Sequence, residues 1–578
     1  MLGGLAALSL DALSSVAYGP QALITVLIMA GAAGLSYAVP LTLVIVAMLS
    51  LLVISYTQVI AAHPEGGGAY AVAKANLGRR WALLAAAALV VDYVLTVAVS
   101  LAAGAASLGS VFPSLSHHLL LVCLIALALL TALNMFGIGE SAKALMGPTV
   151  LFVASILAVI VAGPLHSHPV ATIGTPIHEP RHALTVILVL SAFAAGCSAV
   201  TGVEAIANSV PAFKQPAVRT AQRTEVALGG LLAVMLVGLA VLIHHHHVVP
   251  RNHVTVLAEV TAGAFGTGWP FYVTNLAVAA VLGFAANTSF GGLPVLMSLL
   301  AKDHRLPHVF YLRAEKPVYR YGIAALALAA ALLLIAVGGV TDALIPLFTI
   351  GVFVGLTISQ VGLVRHWLRE RPRHWQRRIA LNGAGAAMTA VAVVVFLGTK
   401  FIHGAWVVVI AVPLLMFLFS HTEDYYDEVA SELRLGRTPP LPRRRESVVI
   451  VPTSTVNALT ERALSAAMSL GETVVALAVA GDEDEREQIK HEWDVWRCAV
   501  PIEVLVDRHR SLIRTVLQYI ESARQEEGER TLVVLIPQIL PSKRRHEILH
   551  NQRGRLLESV LKSHTDVVIA TMPFHIHD

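Results

Sequence analysis

The feature that most constrains this chain is a succession of apolar runs, each long enough to cross a bilayer, through its first three-quarters. A crossing takes about 20 mostly apolar residues. Twelve such runs can be placed, at 4–31, 36–62, 81–111, 118–137, 145–165, 183–208, 226–247, 270–300, 321–338, 342–365, 379–398 and 402–420. Of the 578 residues, 56% are hydrophobic and 13% charged, roughly half the charged share of a soluble globular chain. The bulk of the chain therefore cannot face water, and a polytopic α-helical membrane protein is the expected class. The three cysteines, Cys123, Cys197 and Cys498, are too scattered for a disulfide framework or metal motif. A formal net charge of +4 is too small to argue for nucleic acid. The first run has no basic flank and leads into further runs, so a cleavable signal is not expected. Because the chain starts almost inside that run, a short native N-terminal extension before it is expected.

Basic residues in the connections set the orientation. One set of loops carries eighteen: Lys74, Arg79, Arg80, Lys143, Lys214, Arg219, Arg223, Lys302, Arg305, Arg313, Lys316, Arg320, Arg365, Arg369, Arg371, Arg373, Arg377 and Arg378. The alternate set carries Arg181, Arg251 and Lys400. The first set and both termini are therefore expected on the cytoplasmic side of a plasma membrane. Composition shifts after Ser420: residues 422–446 are polar, with a Pro-Pro pair and a basic run, and read as a linker between a membrane domain (1–421) and a soluble domain (447–578). There, β-branched runs at Ser447–Pro452, Thr473–Ala480, Pro501–Val506, Thr531–Ile536 and Val567–Ala570 alternate with helical stretches. That pattern predicts an α/β layer fold with a mostly parallel sheet.

Ionisable residues inside a membrane are costly, so each is a functional candidate. The first run holds Ser9, Asp11, Ser14, Ser15 and Tyr18 ahead of Gly19-Pro20. Proline removes a backbone donor, and carbonyls freed at a break can coordinate a cation where they line a cavity. A simple kink with Asp11 at the cytoplasmic end is the plain alternative. The sixth run repeats the theme in Gly196-Cys197-Ser198-Ala199-Val200-Thr201-Gly202-Val203-Glu204. Two interrupted helices five spans apart point to inverted repeats with a site at their interface; glycine-mediated helix crossing alone leaves Glu204 unexplained. The third run places Asp92, Thr96 and Ser100 on one helical face, with Tyr93 beside them. Such oxygens suit Na⁺, K⁺ or a proton relay rather than a soft metal. Asp11, Asp92 and Glu204 have no matching intramembrane Lys or Arg, so a cation or protonation must balance them. Asp92 and Glu204 are the candidates for carrying a proton.

Weaker signals accompany these. His244–His247 could hold a metal but read better as a solvated helix end. The loop His63–Tyr70 could cradle a phosphate but lacks the Lys-Ser/Thr of a P-loop. Asn287, Thr288 and Ser289 could supply ion ligands or hydrogen-bond between helices.

The sequence resembles the amino acid–polyamine–organocation superfamily and, within it, the KimA-type potassium–proton symporters. The residues that carry the resemblance are Asp11 to Gly19, Pro64-Glu-Gly-Gly-Gly-Ala-Tyr70, Asp92-Tyr93 with Thr96 and Ser100, and Thr201-Gly-Val-Glu204. The resemblance implies a LeuT-like 5+5 inverted repeat in twelve spans, and a K⁺ path lined by Asp11, Tyr18, Asp92, Thr96, Ser100, Thr201 and Glu204. It also implies a homodimer held by a cytoplasmic domain similar to universal stress proteins. Potassium and protons are then cargo, with no cofactor and no enzymatic activity expected. Two departures stand out. Phe348 occupies a place where a tyrosine is expected, and Ile536-Pro537-Gln538-Ile539-Leu540-Pro541 replaces a Gly-rich nucleotide loop. The second puts ATP binding in doubt and leaves any regulatory nucleotide open. Proton-coupled K⁺ uptake by alternating access is the leading reading. An amino acid permease of the same fold and a membrane-anchored sensor are the alternatives.

Overall fold

The computed structural model describes residues 9–66, 68–137, 142–165, 183–312, 319–443, 445–471, 473–507, 512–527, 530–541 and 552–576. The start of the first apolar run, Gly67, Arg181, Arg313 and Lys316 lie outside the described residues. The chain divides into two compact units, Met1–Leu435 and Gly436–Asp578.

In the first unit the long helices are α1 (Leu10–Leu27), α2 (Ala38–Ala62), α3 (Arg79–Val111), α4 (Leu119–Met135), α5 (Ala142–Ala162) and α6 (Val186–Gly196). After a break come the short α7 (Glu204–Asn208) and the long α8 (Ala217–His245). The series ends with α9 (Trp269–Lys302), α10 (Arg320–Val337), α11 (Thr341–Glu370), α12 (Trp375–Lys400) and α13 (Trp406–Glu432). Helices dominate because hydrocarbon offers no partner to a backbone N–H or C=O, so each segment must satisfy its own. Among the described residues, eleven helical segments are long and apolar enough to cross a membrane, with α6 and α7 counted as one. The apolar part of α5, Met146–Ala162, is shorter.

Burial sorts these helices. The most apolar window of α11 is 78% buried and that of α3 is 72% buried, whereas the segment Pro113–Met135, which contains α4, is only 11% buried. The outward faces of α4 (Leu121, Ile125, Leu129), α10 (Leu328, Leu332) and α13 (Ile410, Leu414, Phe417) expose large apolar side chains. In water such faces would be a liability; in lipid they need no cover. The centre is built from α1, α3, α9, α11 and the broken α6–α7 pair, with α2 packed along α8 and α11 along α12.

Two boundaries differ from expectation. Residues 422–432, read as the start of a linker, complete α13. Arg79 holds both Glu423 and Asp424 in ion pairs and Arg305 also reaches Glu423, so this polar turn has partners that keep it helical. The stretch His63–Tyr70, read as a loop, already contains the start of a helix at Gly68–Asn76.

The second unit is a five-stranded parallel sheet in the order β3-β2-β1-β4-β5, a doubly wound arrangement. Its elements alternate: β1 (Ser447–Pro452), α14 (Ala458–Leu470), β2 (Thr473–Ala480), α15 (Glu483–Trp496) and β3 (Ile502–Val506). Then follow α16 (Leu512–Glu527), β4 (Thr531–Leu540), α17 (Gln552–His564) and β5 (Val568–His575). Strand side chains alternate faces. Val448 and Ile450 therefore pack with Val516, Ile520, Leu557 and Leu561, whereas Val449 and Val451 pack with Leu464, Ala467 and Trp493 on the other face.

Residues Pro537–Leu540, beyond the expected end of the strand, continue β4 and pair with Met572–His575. Proline is tolerated there because β1 pairs with β4 only as far as Val534, so Pro537 lies where β4 has one strand neighbour. At the C-terminal ends of the strands a cavity of about 320 Å³ is lined by Thr453, Ser454, Asn457, Gly481, Glu485 and Pro537, among others.

Candidate functional site

The site forms where α1 meets the interruption between α6 and α7. The sixth apolar run is α-helical to Gly196, tightens into a 3₁₀ turn over Cys197–Val200, and leaves helical geometry at Thr201 and Gly202 before α7 begins at Glu204. Gly202 adopts φ +82°, a left-handed value that other residues rarely take. A Cβ there would also lie 2.6 Å from the backbone N of Ala12 and 2.9 Å from the carbonyl carbon of Asp11. Glycine is thus required twice over, and it seats the break directly on the first turn of α1.

The expected break at Gly19-Pro20 is not present. Helix α1 runs through both residues, because one missing donor is tolerated in a helix packed on all sides. Gly19 serves close packing instead, since a Cβ there would stand 2.5 Å from the Cβ of Ala199. Asp11 lies in the first turn of α1, beside Gly202 at the α6–α7 interruption. Tyr18, two turns further along, closes the other end, its hydroxyl 3.3 Å from Thr201 Oγ1.

Short hydrogen bonds fix this frame. Ser15 Oγ donates to Ala199 O (2.8 Å), Ser14 Oγ to Asp11 O (2.7 Å), and Thr201 Oγ1 to Ser198 O (2.9 Å). The serines are thereby spent on backbone, whereas the carboxylates are not. Asp11 Oδ1, Asp92 Oδ1 and Glu204 Oε2 are buried and have no hydrogen-bond partner among the described residues. Asp92 faces the break from α3, within electrostatic reach of both Glu204 and Asp11. Thr96 and Ser100 continue its face of α3 and are buried. The ring of Phe348 on α11 meets Tyr18 edge-on at 6.4 Å. Beyond Tyr18, the space between Gln21, Ser107, Thr255 and Thr341 amounts to about 10 Å³, room for one water at most.

The structure thus brings Asp11, Tyr18, Asp92, Thr201 and Glu204 together. The lesser candidates sort differently. Gly66 and Gly68 lie against Asn208 in α7, where a Cβ on either would stand 2.5 Å from Asn208 O or 2.3 Å from its Oδ1. The loop therefore buttresses the broken span rather than cradling a phosphate. Asn287 accepts from Asn134 Nδ2 at 2.5 Å, a bond between α4 and α9, and Thr288 bonds its own helix. His244, His245 and His247 are exposed at the end of α8, the His244 ring against that of His247 and the His245 ring against that of half-buried His246. The sequence reading missed Glu225. The seventh run was begun at 226, and α8 starts at Ala217, which puts this carboxylate inside the helix.

An amino acid permease family model matches residues 6–419, and a model described as the KimA potassium transporter C-terminal domain matches residues 443–574. The "Potassium transporter KimA" of Bacillus subtilis (strain 168) is 36% identical over 581 residues, covering 99% of this chain and 95% of its own length. With a broken-helix site in one unit and a matching C-terminal domain in the other, the chain belongs to the KimA family of amino acid permease-fold transporters.

Proposed function

We propose that this protein takes up K⁺ through the site at the α6–α7 break, driven by protons moving in the same direction. The observation that carries the reading is the set of three carboxylates, each with a buried oxygen lacking a partner, around a backbone interruption. A bare cation satisfies such oxygens. An amino acid would bring its own carboxylate into a site that already holds three, and like charges repel. Potassium is also the cargo named for the Bacillus relative.

In this reading Asp11, Asp92 and Glu204 neutralise the cation, while Thr96, Ser100, Thr201 and Tyr18 offer neutral oxygens as it replaces its hydration shell. Protonation of Asp92 or Glu204 lowers affinity for the cation and releases it, which is how protons and K⁺ become linked. Tyr18, Thr201 and Phe348 form the closure on one side, and alternating access opens it. The bundle functions as twelve spans in two inverted repeats of five plus two, with α5 as the fifth, in the plasma membrane with both termini cytoplasmic. The C-terminal unit acts as a universal-stress-protein-like dimerisation module, and its strand-end cavity takes any regulatory ligand. No cofactor is required, and the protein is not an enzyme.

The test is uptake by the full chain in proteoliposomes, with Rb⁺ as K⁺ surrogate beside a panel of amino acids. Saturable Rb⁺ uptake that K⁺ competes away is expected. Amino acid uptake indifferent to K⁺ would overturn the reading.

A further inference from the structure

A fourth carboxylate lies outside the ion path. Glu225 is fully buried in α8, and neither Oε1 nor Oε2 has a hydrogen-bond partner among the described residues. It sits eight residues into the helix, about 12 Å along its axis. Helix α8 is held tightly to α2 around it. A Cβ on Gly229, one turn on, would lie 2.6 Å from Val53, and Gln222 donates to Thr57 O at 2.8 Å.

The titratable groups within electrostatic reach are Glu204 on α7 and Tyr56 on α2. Among the described side chains, the remaining titratable groups buried or half-buried on elements packed against α8 are Asp11 and Tyr18 on α1 and Glu259 in the helix Val256–Phe265. None of these is a cation. An ionised carboxylate so placed would cost several kcal/mol, and a purely structural carboxyl would use its oxygens in hydrogen bonds. Glu225 does neither. It is a carboxyl that can hold a proton, within electrostatic reach of Glu204, whose charge an arriving cation would neutralise.

We propose that Glu225 is the proton-carrying carboxyl of the transport cycle and exchanges its proton through Glu204; this rests on the proton-coupled reading above. While Glu204 holds the cation as a carboxylate, Glu225 keeps its O–H bond. When that bond breaks and an O–H bond forms on Glu204, the cation is released. The proton then passes to water on the side where the cation was released. The carboxylate left on Glu225 draws a replacement proton by the same relay when the site opens to the opposite side. One proton enters from outside and one is delivered inside per turn. The site carboxylates thereby stay free to bind K⁺ while a neighbouring acid keeps the proton account.

The experiment uses the full chain in proteoliposomes containing a pH-sensitive dye, with Rb⁺ as tracer and an inward K⁺ gradient. Wild type is expected to acidify the lumen as K⁺ enters. Glu225→Gln preserves size and neutral hydrogen bonding, and is expected to move Rb⁺ downhill while acidification falls to that of empty vesicles. Glu225→Asp is expected to restore acidification with a displaced pH profile. Acidification per Rb⁺ by Glu225→Gln at the wild-type ratio would overturn the proposal, since an amide cannot carry the proton. If Glu225→Gln moves no Rb⁺, Glu225→Asp decides: Rb⁺ entry with acidification supports a titrating carboxyl, and failure of either overturns it. K⁺ entry into wild-type vesicles with no proton movement would instead remove the proton-coupled reading itself.

Discussion

Buried charge is handled in opposite ways at two places in the membrane unit. Where α9 ends, Asp303, Arg305 and Glu423 all have partners of opposite charge. Asp303 takes both Lys74 (2.7 Å) and the Tyr70 hydroxyl, Arg305 lies 3.1 Å from that hydroxyl and 3.3 Å from Glu423, and Arg79 spans Glu423 and Asp424. Around the α6–α7 break three carboxylates leave oxygens unpartnered. A paired charge has already been compensated within the fold and can only hold elements together. An unpartnered one is left for something the protein does not supply, which in the proposed cycle is the cation at the break and a proton at Glu225. Partnering, more than burial, separates the brace from the site.

The largest expected effect comes from removing charge at the site. Glu204→Gln and Asp92→Asn keep size and hydrogen-bonding capacity but cannot neutralise a cation. Transport should vanish in both while thermal stability holds or rises, because an uncompensated buried charge has gone. Rb⁺ uptake set beside the detergent melting temperature checks this. A fall in stability with uptake retained would make these carboxylates braces and erase the contrast.

Much of this site could be read from the residues before any coordinates. Carboxylates in apolar runs are conspicuous, and Gly202 between Thr201 and Glu204 marks a break because few other residues tolerate its backbone. Gly19-Pro20 misled for a physical reason. Proline's missing donor predicts a break in water, but in a densely packed bundle the helix continues, and the glycine answers to the approach of Ala199. The brace at the end of α9 was not legible at all. Its members come from residues 70–79, 303–305 and 423–424, and no local pattern links segments so far apart. In the C-terminal unit, the β-branched runs marked the strands but not the C-terminal end of β4, because Pro537 looks like a stop unless its neighbours in the sheet are known.

An intermediate effect is expected at the brace. The Arg305 side chain is 7% exposed and that of Glu423 is 16% exposed. Breaking a buried pair from one side costs about 3–5 kcal/mol, so Arg305→Ala should lower the melting temperature clearly. Molecules that remain folded should keep the wild-type K⁺ half-saturation, since no ion ligand is touched. Asp303 adds an acid dependence. Burial alone would raise its carboxyl, but the bonds from Lys74 and Tyr70 and the charges of Lys74 and Arg305 hold it below the usual range. A depressed acid stabilises the fold fully above its unfolded pKa and loses that contribution as pH falls through the folded one. The melting-temperature gap between wild type and Asp303→Asn should therefore be constant near neutrality and close only below about pH 4. A gap that closed between pH 6 and 8 would assign the dependence to another group.

The smallest effect tests where the site ends. Phe348 is buried and meets Tyr18 edge-on, and the Tyr18 hydroxyl lies 3.3 Å from Thr201. Phe348→Tyr adds one hydroxyl to that wall. A buried hydroxyl without a partner costs about 1–3 kcal/mol, so its consequence depends on what it finds. If the cation passes this wall, the new oxygen serves as a ligand, and the K⁺ half-saturation should fall by less than about tenfold, which corresponds to 1.4 kcal/mol. If the wall only closes the path, the hydroxyl competes with Thr201 for Tyr18 or stays unpaired, and the melting temperature should drop with half-saturation unchanged. Measuring both on one preparation separates the cases. The first outcome extends the unpartnered region from the carboxylates to Phe348. The second draws its boundary at Tyr18 and makes the aromatic pair part of the bracing instead.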